Sequence, residues 1–232
     1  MTISELDDGL WIVDGSRVRM LGIPFPTRMT VVRLADGGLW LHSPVEADER
    51  LFVAIEALGP IRHLVAPNKF HHLFFQTWAE RFPYATTWAG PQLRERVDIR
   101  FDHDLGDSAE ACWALDLDQL LFLGSSVLPE AVFFHRPSRS LIVTDIFQNH
   151  EPRADGLLWR TIKRLNGVSA PHGGVPKDWQ RTVRDHDAAR RARDRMLAWD
   201  FTRLIIAHGR CIERDAHAHV VRAFAWLDEP GL

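Results

Sequence analysis

The spacing of apolar residues along the chain predicts a protein that contains both helices and strands. Residues 29–34 and 39–42 are apolar runs on either side of a glycine-containing turn, and this pattern predicts a β-hairpin. Apolar residues then recur at helical spacing over residues 47–58, and the helix is expected to end before Gly59 and Pro60. A buried strand is predicted at residues 61–66, and a polar turn leads from it into a second helix.

The rest of the chain continues this alternation of strands and helices. Early strands are predicted at residues 10–13 and 18–21, and later ones at 86–88, 111–115, 119–123, 131–135, 140–143 and 203–207. Helices are predicted at residues 73–81, 157–165, 177–199 and 216–227. Such a mixture of strands and helices indicates an α/β fold.

Composition and charge narrow the class of protein further. With 232 residues, 46% of them apolar and 25% charged, the chain is expected to fold as one globular domain over residues 1–232. A formal net charge of −3 argues against nucleic acid or an anionic membrane as a partner. The acidic N-terminus does not resemble a signal peptide, and no apolar run approaches the length of a membrane span. Because the two cysteines form no recognisable pair, a cytoplasmic location is expected.

Candidate chemistry lies at the ends of three strands. His71 and His72 follow the strand at residues 61–66, Asp145 follows the one at 140–143, and His208 follows the one near residue 205. Strand ends that point the same way can converge on one place, and their imidazole and carboxylate groups are ligands for Zn, Fe or Mn. The sequence therefore predicts a metal site built from these four side chains.

Three short motifs resemble those of the metallo-β-lactamase superfamily. They read Pro-Asn-Lys-Phe-His-His at residues 67–72, Ser-Arg-Ser-Leu-Ile-Val-Thr-Asp at 138–145 and Ala-His-Gly at 207–209. Their order is similar to an uncharacterised, divergent branch of that superfamily. The resemblance implies an αββα sandwich of two mixed β-sheets flanked by helices, with Asp145 and His208 at the family's bridging-aspartate and final-histidine positions.

The same resemblance implies that half of the usual metal ligands are missing. Pro67 and Lys69 stand where the family's loop pattern has two histidines, and Ser126 lies near its middle histidine. His71 replaces an aspartate. We therefore expect the site to hold a single divalent ion, which could be Zn, Fe or Mn, or to hold no ion. A site with one carboxylate would keep a net positive charge and favour an anionic or strongly polarised small-molecule substrate.

Three functions remain open at this stage. The first is a mononuclear metal-dependent hydrolase of a small ester, lactone, thioester or phosphoester, with Asp145 and His72 as catalytic residues. The second is an inactive scaffold that serves as a binding or interaction module; redox chemistry at a single iron is a third. His72 also has a structural interpretation, a backbone hydrogen bond at a helix start. Four polar side chains are further candidates around the site: Lys69, Asn149, His150 and His172.

Overall fold

A computed structural model describes residues 2–20 and 22–229, and its first half is dominated by a seven-stranded sheet. Its strands lie side by side in chain order. β1 to β4 are antiparallel, whereas β4 to β7 are parallel. The strands are β1 (Thr2–Asp7), β2 (Leu10–Met20), β3 (Ile23–Arg33), β4 (Leu39–His42), β5 (Ile61–Ala66), β6 (Thr86–Ala89) and β7 (His103–Asp104).

A second, four-stranded sheet is formed by the later part of the chain. Its order is β11, β10, β9, β8, and only the β10–β11 pair is parallel. The strands are β8 (Leu117–Phe122), β9 (Glu130–His135), β10 (Ser140–Val143) and β11 (Arg203–Ile206). The helices are α1 (Glu49–Glu56), α2 (Phe75–Arg81), α3 (Leu157–Leu165), α4 (Lys177–Gln180), α5 (His186–Leu197) and α6 (Ala216–Phe224), with 3-10 turns at Pro152–Ala154 and Ala225–Asp228.

Three apolar clusters hold these layers together. The first joins the inner faces of the two sheets and is built around Trp40, Trp113 and Phe133. The second packs α1 and α2 on the outer face of the larger sheet, and the third packs α5 and α6 on the smaller one. The result is an αββα sandwich of two mixed sheets, the fold class expected from the sequence.

Most predicted elements are confirmed, but two are wrong. Residues 111–115 form turns instead of a strand. The single helix expected over residues 177–199 is divided into α4 and α5, because Val183 forms a β-bridge with Ser125 between them. Asp185 then caps α5 by accepting a hydrogen bond from the Ala188 N–H, so the helix restarts there.

The two early strands expected at residues 10–13 and 18–21 form one long strand, β2. An irregularity in its pairing with β3 between Asp14 and Arg17 absorbs the turn-like Asp14-Gly15 sequence. Leu21, at the end of the second predicted strand, lies outside the described residues. Every helix in the described part of the chain is too short or too polar to cross a lipid bilayer.

A buried histidine between the sheets is expected to make the fold sensitive to acid. Burial lowers the pKa of His63 to about 4, and its Nδ1 accepts a hydrogen bond from Trp88 Nε1 at 3.3 Å. The pKa of His63 is lower in the folded protein than in the unfolded chain, so the fold favours the neutral imidazole. The contribution of neutral His63 to the free energy of unfolding is therefore complete above about pH 6.5 and is lost as the pH falls toward 4. On acidification from pH 7 to pH 4, we expect His63 to lower the free energy of unfolding by about 2 kcal/mol, after allowing for its partial hydration.

Urea unfolding of the wild type and of His63→Gln at pH 7 and pH 4 tests this. The glutamine does not titrate and can still accept from Trp88, so the variant should lose less stability on acidification. His217→Gln, at an exposed histidine, is the matched control. An equal acid-induced loss in the wild type and in His63→Gln would contradict the assignment.

Candidate metal centre

The carboxyl ends of strands from both sheets meet at one edge of the sandwich. β5 leads into the loop that carries His71, while β10 and β11 end just before Asp145 and His208. Nε2 of His71 lies 3.2 Å from Oδ2 of Asp145, and Nε2 of His208 lies 3.1 Å from Oδ1 of the same carboxylate. One donor atom from each residue lies within 4.8 Å of the other two. In the described residues, no other group of three His, Cys, Asp or Glu side chains is so arranged.

The orientation of the two imidazoles suits a metal ion. His208 Nδ1 lies 2.7 Å from the carbonyl oxygen of Pro26, which can only accept, so Nδ1 carries a proton and Nε2 is the nitrogen that could bind an ion at the centre. His71 Nδ1 is 2.5 Å from the Ser43 hydroxyl, and this hydrogen bond holds the ring with Nε2 toward Asp145. Bonds of about 2.0–2.2 Å place ligand atoms about 3–4 Å apart, so small side-chain movements would bring all three donors around one ion.

A buried polar network fixes the position of Asp145. Asn68 Nδ2 donates to Asp145 Oδ2 at 2.9 Å, and Asn68 Oδ1 accepts from the Phe70 N–H at 2.8 Å. The carboxylate of Glu130 accepts from the N–H groups of Thr144 and Asp145, at 2.5 and 2.7 Å. Asn68 therefore links the histidine loop to Asp145, and Glu130 holds the backbone that presents Asp145.

The charges of these groups depend strongly on one another. Burial acts against ionisation of Asp145, but His71 and His208 outweigh it and hold its pKa well below the usual range. Burial also opposes protonation of His208, yet the hydrogen bond and charge of Asp145 raise its pKa. Burial and the nearby charge of Asp145 both raise the pKa of Glu130. Asp145 is thus the anionic centre of the cluster.

His72 does not join the other three predicted ligands. Its Nδ1 lies 2.9 Å from the carbonyl oxygen of Lys69, the backbone contact that was the structural alternative for this residue. Adjacent side chains at the start of a turn point in different directions, so only His71 faces Asp145. His72 nevertheless lines the cavity above the cluster, and burial lowers its pKa. The structure therefore brings three of the four predicted ligands together, and His72 lies outside that cluster.

The other four candidate residues lie outside that cavity. Lys69 Nζ donates to Gln92, and His150 Nε2 lies 2.9 Å from Gln148 Oε1. His172 is exposed, with its ring beside His219. Asn149 supports the centre through its backbone, because its N–H donates to the carbonyl of His208 at 3.1 Å.

The positions that lack the family's histidines have other roles. The Pro67 carbonyl accepts from the Ala131 N–H, and the Lys69 side chain turns toward Gln92. Ser126 bonds the carbonyl of Thr182. None of these three residues belongs to the His-Asp-His cluster.

Gly209 allows His208 to reach the centre. Its φ of +111° is rarely adopted by residues with a side chain, and an added Cβ would lie 2.2 Å from the carbonyl oxygen of Asn149. The Ala-His-Gly motif therefore has a steric basis.

Sequence reasoning missed Asn68, Glu130 and Ser43 as parts of the site. Glu130 carried a usable signal, since it is the one acidic residue of a strand whose next four residues are apolar. Asn68 lies inside the motif of residues 67–72, but its partners come from distant parts of the chain. Ser43 had no signal of its own.

Comparisons with known proteins agree with this fold. A family described as a domain of unknown function (DUF4336) matches residues 7–94. No curated protein matches the chain. Among solved structures, the DIM-1 metallo-β-lactamase has a TM-score of 0.67 at 13% identity, with 98% of this chain and 96% of that chain covered.

Two further structures extend the same result. A metallo-β-lactamase from Hirschia baltica has a TM-score of 0.63 at 19% identity, covering 100% of this chain and 99% of the other. The metallo-β-lactamase FIM-1 from Pseudomonas aeruginosa, in its mono-zinc form, has a TM-score of 0.63 at 15% identity, with 99% of this chain and 96% of that chain covered. The chain therefore has the metallo-β-lactamase fold, with a His-Asp-His cluster that could hold a metal.

Proposed function

We propose that this protein is a mononuclear metal-dependent hydrolase of a small ester, lactone, thioester or phosphoester. The observation that carries the proposal is the convergence of His71, Asp145 and His208, which are buried and line a cavity. Three protein ligands leave a coordination position open, as in catalytic zinc sites. When bound, a divalent ion would supply Lewis-acid polarisation of the substrate and acidify a water near neutral pH.

The protein's own groups would hold this centre and move a proton beside it. Ser43 and the Pro26 carbonyl orient the rings of His71 and His208, while Asn68 and Glu130 fix Asp145. His72 carries its proton on Nδ1, toward the Lys69 carbonyl, so its Nε2 is free to accept one. We assign His72 the role of a general base next to the metal ligands, in place of the ligand role expected from the sequence.

Replacing His72 with glutamine separates these two roles. We expect kcat to fall by about 100-fold or more, the usual contribution of a positioned base, with the zinc content unchanged at one ion per chain. Hydrolysis of 4-nitrophenyl esters, a lactone, a thioester and bis(4-nitrophenyl) phosphate by zinc-, manganese- and iron-loaded protein provides the readout. His172→Gln, at an exposed histidine outside the cavity, is the control.

Two results would count against the proposal. Loss of zinc from His72→Gln would return this residue to the ligand set. If metal-loaded wild type hydrolyses none of these substrates, or does so equally well in excess chelator, the hydrolase assignment is wrong and the binding-module alternative is favoured.

A further inference from the structure

The cavity above the metal centre has a largely apolar wall. It has a volume of about 180 Å³ and opens beside His71, His72, Asp145 and His208. One side is formed by the β2–β3 hairpin and the other by the segment that leads into α2. The apolar residues that line it are Val18, Met20, Phe25, Pro44, Phe70, Leu73 and Phe74. Leu73 and Met20 remain 61% and 39% exposed, so apolar surface continues to the mouth.

Two arginines, Arg19 and Arg96, line the same cavity. The Arg96 guanidinium lies 4.8 Å from the ring centre of Phe70, and Arg19 Nη1 donates to the carbonyl of Gly22 at 3.2 Å. In the described part of the chain, neither side chain forms an ion pair with a carboxylate. Asp145, engaged by two histidines, is the one acidic residue among those that line the cavity.

Neighbouring arginines on the same two segments do have carboxylate partners. Two residues before each of them lies an arginine that is paired: Arg17 with Asp155 at 2.8 Å, and Arg94 with Asp104 at 2.6 Å. Among the residues that line the cavity, Arg19 and Arg96 are therefore the guanidinium groups available to an external anion. Guanidinium groups bind carboxylate, sulfonate and phosphate oxygens through paired N–H donors.

We propose that the substrate is an amphiphilic anion, with an acyl or aryl part against the apolar wall and a separate anionic group bound by Arg96 and Arg19. This inference rests on the proposed function and names the substrate class of the same site. The cavity is lined by two arginines and one carboxylate, and a bound divalent ion would add to its net positive charge, which favours a negatively charged ligand over a neutral one of the same shape.

Kinetics with two matched esters tests the anion preference. The mono-4-nitrophenyl ester of suberic acid is anionic, whereas 4-nitrophenyl octanoate has an acyl chain of the same length without the charge. We expect kcat/KM to be about tenfold or more higher for the anionic ester. Arg96→Gln and Arg19→Gln should each reduce this ratio several-fold. Arg100→Gln, at an exposed arginine of the same surface segment outside the cavity, should leave it unchanged.

Calorimetric titration with octanesulfonate, which is not hydrolysed, tests binding by itself. We expect it to bind more tightly than ethanesulfonate, and Arg96→Gln to weaken it about tenfold. Octanesulfonate binding that depends on Arg96, in a protein that hydrolyses no ester, would support the amphiphile site and contradict the hydrolase. Hydrolysis without preference for the anionic ester, together with sulfonate binding unaffected by Arg96→Gln, would overturn this inference and leave the hydrolase intact.

Discussion

Asp145→Asn is expected to lower the affinity of the protein for zinc by more than about 100-fold. Removing a residue that only hydrogen-bonds to a metal ligand already costs up to about 100-fold in affinity, and Asp145 is expected to be a ligand itself. Asp145 supplies the single carboxylate of the cluster and lies within 3.2 Å of both histidines. The amide keeps the size of the side chain but removes its negative charge. Competition with a chromophoric zinc chelator measures the affinity directly.

The control for this substitution is Asp98→Asn, at an exposed aspartate distant from the cluster in sequence. Its zinc affinity should equal that of the wild type. Zinc affinity that is unchanged in Asp145→Asn would show that the ion is held elsewhere, and the three-residue centre would be wrong.

Glu130→Ala is expected to destabilise the fold by about 3–5 kcal/mol. Its carboxylate is fully buried and accepts from the backbone N–H groups of Thr144 and Asp145. Without it, two buried donors have no acceptor, and each costs about 1–3 kcal/mol. Urea unfolding followed by tryptophan fluorescence measures the change, and Glu95→Ala, at an exposed glutamate, is the control.

The same substitution is also expected to weaken zinc binding, because Glu130 holds the backbone that presents Asp145. A free energy of unfolding within about 1 kcal/mol of the wild type would contradict the role given to Glu130, since surface substitutions usually fall within that range. Glu130→Gln keeps one carbonyl acceptor and should lie between the alanine variant and the wild type.

The fold was largely predictable because local signals and the three motifs agree. The strands at Ile61–Ala66 and Ser140–Val143 and the helix at Leu157–Leu165 have the bounds that the apolar pattern indicates. The break between α4 and α5 was not predictable, because it depends on a β-bridge between Val183 and Ser125, residues far apart in the sequence. That the chain forms one domain stays a prediction.

The site was predictable only where a strand end marks it. His71, Asp145 and His208 each follow a strand closely. Parallel pairing of β10 with β11 places Asp145 and His208 side by side, and the packing of the two sheets brings the end of β5 to the same edge. The choice between His71 and His72 depends on side-chain directions within a turn, which spacing does not determine. Glu130 and Asn68 act through contacts across 15 and 77 residues of sequence, so no local pattern reveals their partners.

A crystal structure of the zinc-loaded protein, with anomalous scattering recorded on both sides of the zinc absorption edge, tests the central claim most directly. We expect one anomalous peak per chain, bonded at about 2.0–2.2 Å to His71 Nε2, His208 Nε2 and a carboxylate oxygen of Asp145. A peak bonded to other residues, or no peak in zinc-saturated crystals, would contradict it.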